Sequence, residues 1–205
     1  MKRKTSKLTL AAILVALSVV LSCIKIFEAP FDGAVTLGSM LPVMLLSLAL
    51  GWKWGLAGSA VFAVFQLAMS LIGGKVFAWS MHWSTIVICV LFDYLVPFTL
   101  LGLVGLLRNV RIGRFRHFGA YLGITLTCVV RFGCHYVTGV AIWGQHGLDY
   151  GIANKFLYSL LYNGAYMLPE LVITLILAAL LLESSATKKL INLPVDREVN
   201  GTAKN

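Results

Sequence analysis

Long apolar stretches separated by short polar segments dominate the chain. A transmembrane helix needs about 20 consecutive, mostly apolar residues to cross about 30 Å of hydrocarbon. Six stretches of this kind predict six membrane-spanning helices, near residues 8–27, 36–50, 54–72, 84–107, 119–143 and 156–182. The second is short and contains Pro42, which predicts an interruption there. The pattern therefore predicts an all-α integral membrane bundle, with one transmembrane domain over residues 1–187 and a polar tail over 188–205.

The amino-acid composition also indicates a membrane environment. Hydrophobic residues make up 59% of the 205 residues and charged residues 12%, whereas soluble domains are about half apolar and about a quarter charged. A chain this short cannot bury so much apolar surface in one aqueous core. The lipid bilayer is therefore the expected environment.

Basic residues are divided unequally between the predicted loops. With six spans, both termini share one side of the membrane with the loops at 51–53 and 108–118. That side carries Lys2, Arg3, Lys4, Lys7, Lys53, Arg108, Arg111, Arg114, Arg116, Lys188, Lys189, Arg197 and Lys204, and the other carries Lys25, Lys75 and Lys155. The positive-inside rule then places both termini and the tail in the cytoplasm. Because these residues lie at span ends, the net charge of +9 is a topology signal, and nucleic-acid binding is not expected.

Polar side chains inside the predicted spans carry the functional information, because each is costly in hydrocarbon. Positions four residues apart share one face of a helix. On span five that face carries Arg131, His135, Gly139 and Trp143; on span six Tyr158, Tyr162 and Tyr166 repeat in the same way beside Asn163; span four adds Asp93 and Tyr94. The helical rise places Asp93, His135 and Asn163 in the outer half of the membrane.

These residue types predict a pocket that opens to the outside. A carboxylate beside aromatic faces suits a flat, cationic, heteroaromatic ligand, through stacking and cation–π attraction. The alternative is a set of interhelical hydrogen bonds that only hold the bundle together. Arg131 and Glu170 fall deeper, at similar depth, and we expect them to form a structural ion pair beneath the pocket, because an unpaired charge there is very costly.

Two segments resemble signatures of a known family. Residues 131–144 (RFGCHYVTGVAIWG) and 158–170 (YSLLYNGAYMLPE) resemble the fifth-span and sixth-span signatures of the thiamine-specific substrate-binding component of energy-coupling-factor (ECF) transporters, the ThiT family. The resemblance implies a six-helix protein of the bacterial cell membrane that binds thiamine near its outer face. It also implies a transmembrane coupling subunit and two ATPase subunits as partners. The substrate contacts it implies are Asp93, Tyr94, His135, Gly139, Trp143, Tyr158 and Asn163, and the implied partner interface is Ala12 and Ala16.

The chain departs from that family at two positions. Asp93-Tyr94 stands where the family has a Glu-Tyr pair, and Phe62 stands where it has a tryptophan. Because Asp is one methylene shorter than Glu, a contact from Asp93 needs a shifted helix or a water bridge. The departures leave open weaker thiamine binding, or a related pyrimidine or thiazole ligand.

Missing motifs limit the mechanisms. Without a G-x-x-x-x-G-K-[ST] loop, the chain is not expected to hydrolyse ATP, so the energy for import would come from partners. A proton-coupled secondary transporter, with Asp93, His135 and Glu170 as a relay, is the alternative. An intramembrane enzyme is not expected, because no G-x-S or H-E-x-x-H motif occurs. The sequence predicts no catalytic residue, cofactor or metal site.

Overall fold

The structure, a computed structural model, describes residues 2–74, 82–112 and 117–187. Within these ranges the chain forms a helical bundle and one small antiparallel sheet. The elements are α1 (Lys2–Ser22), β1 (Lys25–Glu28), β2 (Ala34–Thr36), α2 (Leu41–Leu50), α3 (Trp52–Ile72), α4 (Trp83–Leu106), α5 (Phe118–Thr138) and α6 (Lys155–Glu183). Helix α5 continues as a π-helical turn (Gly139–Trp143) and a 3-10 segment (Gly144–Tyr150).

Five helices among the described residues are long and apolar enough to cross a membrane: α1, α3, α4, α5 with its extension, and α6. Helix α2 has ten residues, all of them buried. At about 1.5 Å per residue it reaches only about half the thickness of the hydrocarbon. The prediction that Pro42 interrupts a span was wrong. Pro42 lies in the first turn of α2, where its missing N–H has no intrahelical partner, so it starts the helix.

The first predicted span extends too far, and the all-α prediction needs a correction. Helix α1 ends at Ser22, and β1 pairs antiparallel with β2 over residues 25–36. A short 3-10 turn, Pro30–Asp32, lies between the two strands. We call residues 25–36 the hairpin. The fold is therefore predominantly helical, with a strand pair where the sequence predicted the end of a helix.

Helix α2 lies at the centre of the apolar half of the bundle. Its Ser47 hydroxyl donates to the Gly102 carbonyl at 2.5 Å and accepts from the Gly105 N–H at 2.9 Å. Small residues let helix backbones approach closely where lipid gives no hydrophobic driving force. Along α5, Ile124 and Cys128 belong to this apolar core, and polar lining begins at Arg131. One half of the bundle is thus packed mainly with apolar side chains, and the other contains the polar side chains that line the cavity.

Arg131 lines the interior, and other described basic residues lie at the two ends of the bundle. Lys53 and Arg108 flank the ends of α3 and α4 beside the apolar half, and Lys25 and Lys155 lie at the polar end. The predicted tail 188–205 lies outside the described ranges. So do seven basic residues that the sequence analysis used to predict the orientation: Lys75, Arg114, Arg116, Lys188, Lys189, Arg197 and Lys204.

Candidate binding site

A cavity lies in the polar half of the bundle, bounded by the hairpin, α3, α4, α5 and α6. Its lining includes every residue predicted to contact a ligand: Asp93, Tyr94, His135, Gly139, Trp143, Tyr158 and Asn163. The face of α5 with four-residue spacing and the tyrosine face of α6 both turn toward it, as the spacing predicted. Ala12 and Ala16 lie apart from it, on the exposed face of α1.

The regular hydrogen-bonding of α4 is broken at Asp93 and Tyr94, two residues that line the cavity. Pro97 has no N–H to donate to the carbonyl of Asp93 four residues earlier. The helix widens over Val90–Leu95 into a π-helical turn, in which the Val96 N–H bonds to the Leu91 carbonyl five residues back. Such turns are frequent at functional sites. The extension of α5 repeats this feature, because its π-helical turn carries Gly139 and Trp143.

The Asp93 carboxylate joins α4 to α5. The Thr138 hydroxyl donates to Asp93 Oδ1, and His135 Nδ1 lies 3.4 Å from the same oxygen. Thr138 is only 2% exposed, so it contacts the carboxylate away from solvent. With Nδ1 donating to Asp93, the His135 ring presents Nε2 as an acceptor. Sequence reasoning did not select Thr138.

Asn163 joins α5 to α6. Its Nδ2 donates to the His135 carbonyl at 3.2 Å and to the Ser159 carbonyl at 3.0 Å, and its Oδ1 accepts from the Tyr166 hydroxyl at 2.8 Å. The amide is therefore engaged by protein groups at both ends. It lines the cavity and fixes the distance between its two walls.

The hairpin supplies lining residues that the sequence analysis missed. Phe31, Asp32 and Gly33 line the cavity, and the Tyr162 hydroxyl donates to the Pro30 carbonyl. The Phe31 ring lies 5.2 Å from the Trp143 ring, centroid to centroid. The signal was present, because Pro-x-Asp-Gly between β-branched and aromatic residues is typical of a tight turn between strands.

The predicted ion pair between Arg131 and Glu170 is not formed. The Thr36 N–H and hydroxyl both donate to the Glu170 carboxylate, at 2.5 Å and 2.6 Å, so hairpin donors satisfy the buried charge. The Arg131 guanidinium lies 4.6 Å from the centroid of the Phe98 ring, and its NH1 lies 3.2 Å from the Met40 sulfur. Both charged residues line the cavity and do not lie beneath it.

We expect Thr36→Val to destabilise the protein. Valine keeps the shape but removes the hydroxyl donor to Glu170, which is only 2% exposed. A hydrogen bond to a charged group contributes about 1.5–3 kcal/mol, a drop in Tm of about 3–12 °C for a chain of this size. Thermal unfolding in detergent measures the change. The matched control is Thr9→Val, because the Thr9 hydroxyl is exposed and bonds only within its own helix; equal melting of the two variants would contradict the role of Thr36.

The two departures from the family pattern have different surroundings. Asp93 lines the cavity, whereas Phe62 is fully buried in the apolar core and is not among the described lining residues. The Phe62 ring meets Phe98 edge-on, with centroids 5.6 Å apart, and Phe98 does line the cavity. Phe62 therefore adjoins the cavity through its contact with Phe98.

Three buried polar atoms in the described part of this cavity have no hydrogen-bond partner: His135 Nε2, Tyr158 Oη and Arg131 Nε. Buried polar groups are nearly always satisfied, so each such exception needs an explanation. Trp143, Tyr158 and Tyr162 add aromatic faces next to these atoms. A cavity with these features between apolar helices is typical of a membrane protein that binds a small polar, aromatic molecule.

Comparison with known proteins narrows this class. The sequence model of the family described as thiamine transporter protein (Thia_YuaJ) matches residues 8–190. The chain is 26% identical over 183 residues to the thiamine transporter ThiT of Bacillus subtilis (strain 168), covering 83% of this chain and 86% of that protein. The solved structure of ThiT from Listeria monocytogenes matches with a TM-score of 0.69, over 92% of this chain and 98% of that chain, at 22% identity. At 22% identity, this structural match supports the fold of the chain alone.

Because the family model spans most of the chain, the chain belongs to the thiamine transporter protein family. The resemblance found in spans five and six is thereby confirmed. The chain is a multi-pass membrane transport protein and not an enzyme.

Proposed function

We propose that the chain is the substrate-capture subunit of an ECF-type importer, and that it binds thiamine in the cavity described above. In this role the chain binds the vitamin, and a coupling subunit with two ATPases supplies the energy for import. Membership of the thiamine transporter protein family supports thiamine as the cargo. The seven site residues and the partner subunits are part of the proposal.

The unpartnered polar atoms in an aromatic cavity are the observation that carries the proposal. Thiamine joins an aminopyrimidine, which has donors and acceptors at its edge, to a cationic thiazolium ring. His135 Nε2 and the Tyr158 hydroxyl are available to the pyrimidine edge, beside the carboxylate of Asp93. The thiazolium ring suits the faces of Trp143 and His135, by stacking and cation–π attraction. Asn163 lines the same cavity and bridges its two walls through hydrogen bonds to the His135 and Ser159 carbonyls.

The cavity faces the exterior in this proposal. Its mouth is at the end of the bundle that carries Lys25 and Lys155, the sparsely basic side in the sequence. The opposite end carries Lys53 and Arg108, and the sequence assigns most of the remaining basic residues to the same side, in the termini and the loop at 108–118. The positive-inside rule then places that end, and both termini, in the cytoplasm.

The exposed face of α1 is the proposed contact with the coupling subunit. Ala12 and Ala16 lie on that face, one turn apart, next to exposed Ile13 and Leu17. Small residues one turn apart let a second helix approach closely. Apolar neighbours suit a contact made within the membrane. This face lies away from the cavity, so a partner there leaves the ligand site accessible.

Purification and reconstitution test the proposal. We expect the purified chain to bind one thiamine per chain, measured by calorimetry, and mass spectrometry to find thiamine in protein from thiamine-fed cells. In proteoliposomes the chain alone should not accumulate thiamine, with or without a pH gradient. Uptake should require the coupling subunit, both ATPases and ATP.

Two results would contradict this assignment. Uptake by the chain alone, driven by a pH gradient, would favour the proton-coupled transporter with Asp93, His135 and Glu170 as its relay. If the chain bound a pyrimidine or thiazole compound more tightly than thiamine, that compound would be the ligand. The cavity would still be the proposed binding site.

A further inference from the structure

A second cavity lies between α5 and α6. It is lined mainly by residues within 128–132 of α5 and 160–171 of α6, and its volume is about 600 Å³. Among its described lining residues only Arg131 is charged. Val129 and Leu168 belong to the lining and are 53% and 63% exposed, so the cavity opens at the outer surface of the bundle. We call this cavity the lateral groove.

The lateral groove opens into the hydrocarbon of the membrane. Helices α5 and α6 are both long and apolar enough to span it. At about 1.5 Å per residue, residues 160–171 lie about 8–24 Å from the start of α6, and residues 128–132 lie about 15–21 Å from the start of α5. Both ranges fall within about 30 Å of hydrocarbon. Unfilled apolar volume forfeits van der Waals contacts, so a hydrocarbon chain that fits the groove is favoured there.

The shape of the lateral groove suits an acyl chain better than a second helix. Gly164 makes room in its α6 wall, because a methyl group built there meets, among the described atoms, only Leu168 Cδ1 at 4.0 Å. Close packing of a second helix needs small residues one turn apart. The residues one turn before and after Gly164 are Leu160 and Leu168, and both line the groove. A flexible acyl chain can pass between such side chains, whereas a helix backbone cannot come close.

The lateral groove shares a wall with the ligand cavity. Met40 and Arg131 are the described residues that line both. Arg131 Nη1 lies 3.2 Å from the Met40 sulfur, a weak acceptor, and the guanidinium lies 4.6 Å from the centroid of the Phe98 ring. The side chains of Met40 and Arg131 are long and flexible, so these contacts fix the wall only weakly. Hydrocarbon packed behind them restricts their rotamers and holds the wall in one arrangement.

We propose that the lateral groove binds one acyl chain of a membrane phospholipid, and that this chain stabilises the wall formed by Arg131 and Met40. The bilayer supplies acyl chains at the depth where the groove opens, and the mostly uncharged lining matches their methylene groups. The stabilising role rests on the proposed function, because its readout is the affinity for thiamine. Thiamine then binds more tightly when an acyl chain fills the groove.

Photo-cross-linking tests the acyl-chain site independently of thiamine. The full chain is reconstituted into vesicles of palmitoyl-oleoyl phosphatidylglycerol that also contain a phosphatidylglycerol with a diazirine in one acyl chain. After irradiation, peptide mass spectrometry should find adducts on Phe132 and Met167, which line the groove. Met167 is only 7% exposed, so an adduct there requires a chain inside the groove.

Two glycine variants show whether the adducts depend on the groove. Gly164→Leu places a side chain in the groove and should reduce the adducts on Met167 about fivefold or more. Gly133→Leu is the matched control, because Gly133 is not among the described lining residues and no described atom lies within 4 Å of a methyl group built there. This control should leave the adducts on Met167 unchanged.

Two bilayers test the coupling to the ligand cavity. Phytanoyl chains carry methyl branches, which make them wider than linear chains. We expect the Kd of the unmodified chain for thiamine to be about threefold or more higher in nanodiscs of diphytanoyl phosphatidylglycerol than in nanodiscs of the palmitoyl-oleoyl lipid. In Gly164→Leu the leucine itself fills the groove, so the Kd should be the same in both bilayers.

Each part of the proposal has a result that overturns it. Adducts on exposed side chains such as Leu168, with none on Met167 of the unmodified chain, would overturn the acyl-chain site. A dimer of the unmodified chain that Gly164→Leu dissociates would show a second copy in the groove and would also overturn it. Adducts in the groove with one Kd in both bilayers would overturn the stabilising role. Failure of the unmodified chain to bind thiamine in either bilayer would instead overturn the proposed function, and the adducts would still test the site.

Discussion

Replacing Asp93 with alanine is expected to raise the Kd for thiamine at least about a hundredfold, because the proposed site loses a buried carboxylate beside the pyrimidine edge of a cationic ligand. Removing one partner of a buried, hydrogen-bonded charge pair costs about 3–5 kcal/mol, and each 1.4 kcal/mol is about tenfold in affinity. Asp93 also lies 3.4 Å from His135 Nδ1, so the substitution affects a second proposed ligand contact. Calorimetric titration of the purified variant measures the change.

Two controls separate this effect from unfolding. Trp52→Ala removes a large side chain that is 40% exposed at the opposite end of the bundle, and it should bind thiamine like the unmodified chain. Asp93→Glu restores the charge with one more methylene and should bind thiamine far better than the alanine variant. If the alanine variant kept the affinity of the unmodified chain, the cavity would not be the thiamine site.

The helical part of the site was predictable because helix geometry is local. Spacing by four residues places Arg131, His135, Gly139 and Trp143 on one face whatever α5 packs against, and that face lines the cavity. The same reasoning holds for the tyrosines of α6. The cost of polar groups in hydrocarbon then indicates which face is the inner one.

The hairpin was not predictable by the same reasoning. Hydropathy continues past Ser22 through Ile24, Ile26 and Phe27, so an apolar average extends the helix into β1. Only the turn residues after Ala29 distinguish a strand pair from a helix end.

The error on Arg131 and Glu170 has a different physical cause. Equal depth makes two charges plausible partners, but depth says nothing of neutral donors that arrive from elsewhere in the chain. Thr36 is 134 positions from Glu170 in sequence, and it donates twice to that carboxylate. Long-range contacts of this kind depend on how the hairpin packs on α6, which no local pattern in the sequence encodes.

Gly139→Ala is expected to weaken thiamine binding at least about thirtyfold. A methyl group at this position would overlap the Ser159 hydroxyl and lie 3.0 Å from Asn163 Nδ2. Those two groups donate to the Tyr136 and His135 carbonyls, so they hold α6 against α5. Overpacking costs about 1–3 kcal/mol. If about 2 kcal/mol of that cost falls on the arrangement of the walls that binds the ligand, the Kd rises about thirtyfold.

Gly133→Ala gives a matched comparison within the same helix. Among the described residues, nothing lies within 4 Å of a methyl group built at Gly133. Alanine is the better helix former by about 0.5–1 kcal/mol, so this variant should melt at the same temperature as the unmodified chain or slightly higher, with thiamine binding unchanged. The contrast depends on the close approach of α5 and α6 at Gly139, which holds His135 and Trp143 opposite Tyr158. Equal thiamine affinities for the two variants would show that the walls of the cavity tolerate separation, and that Asn163 does not set their distance.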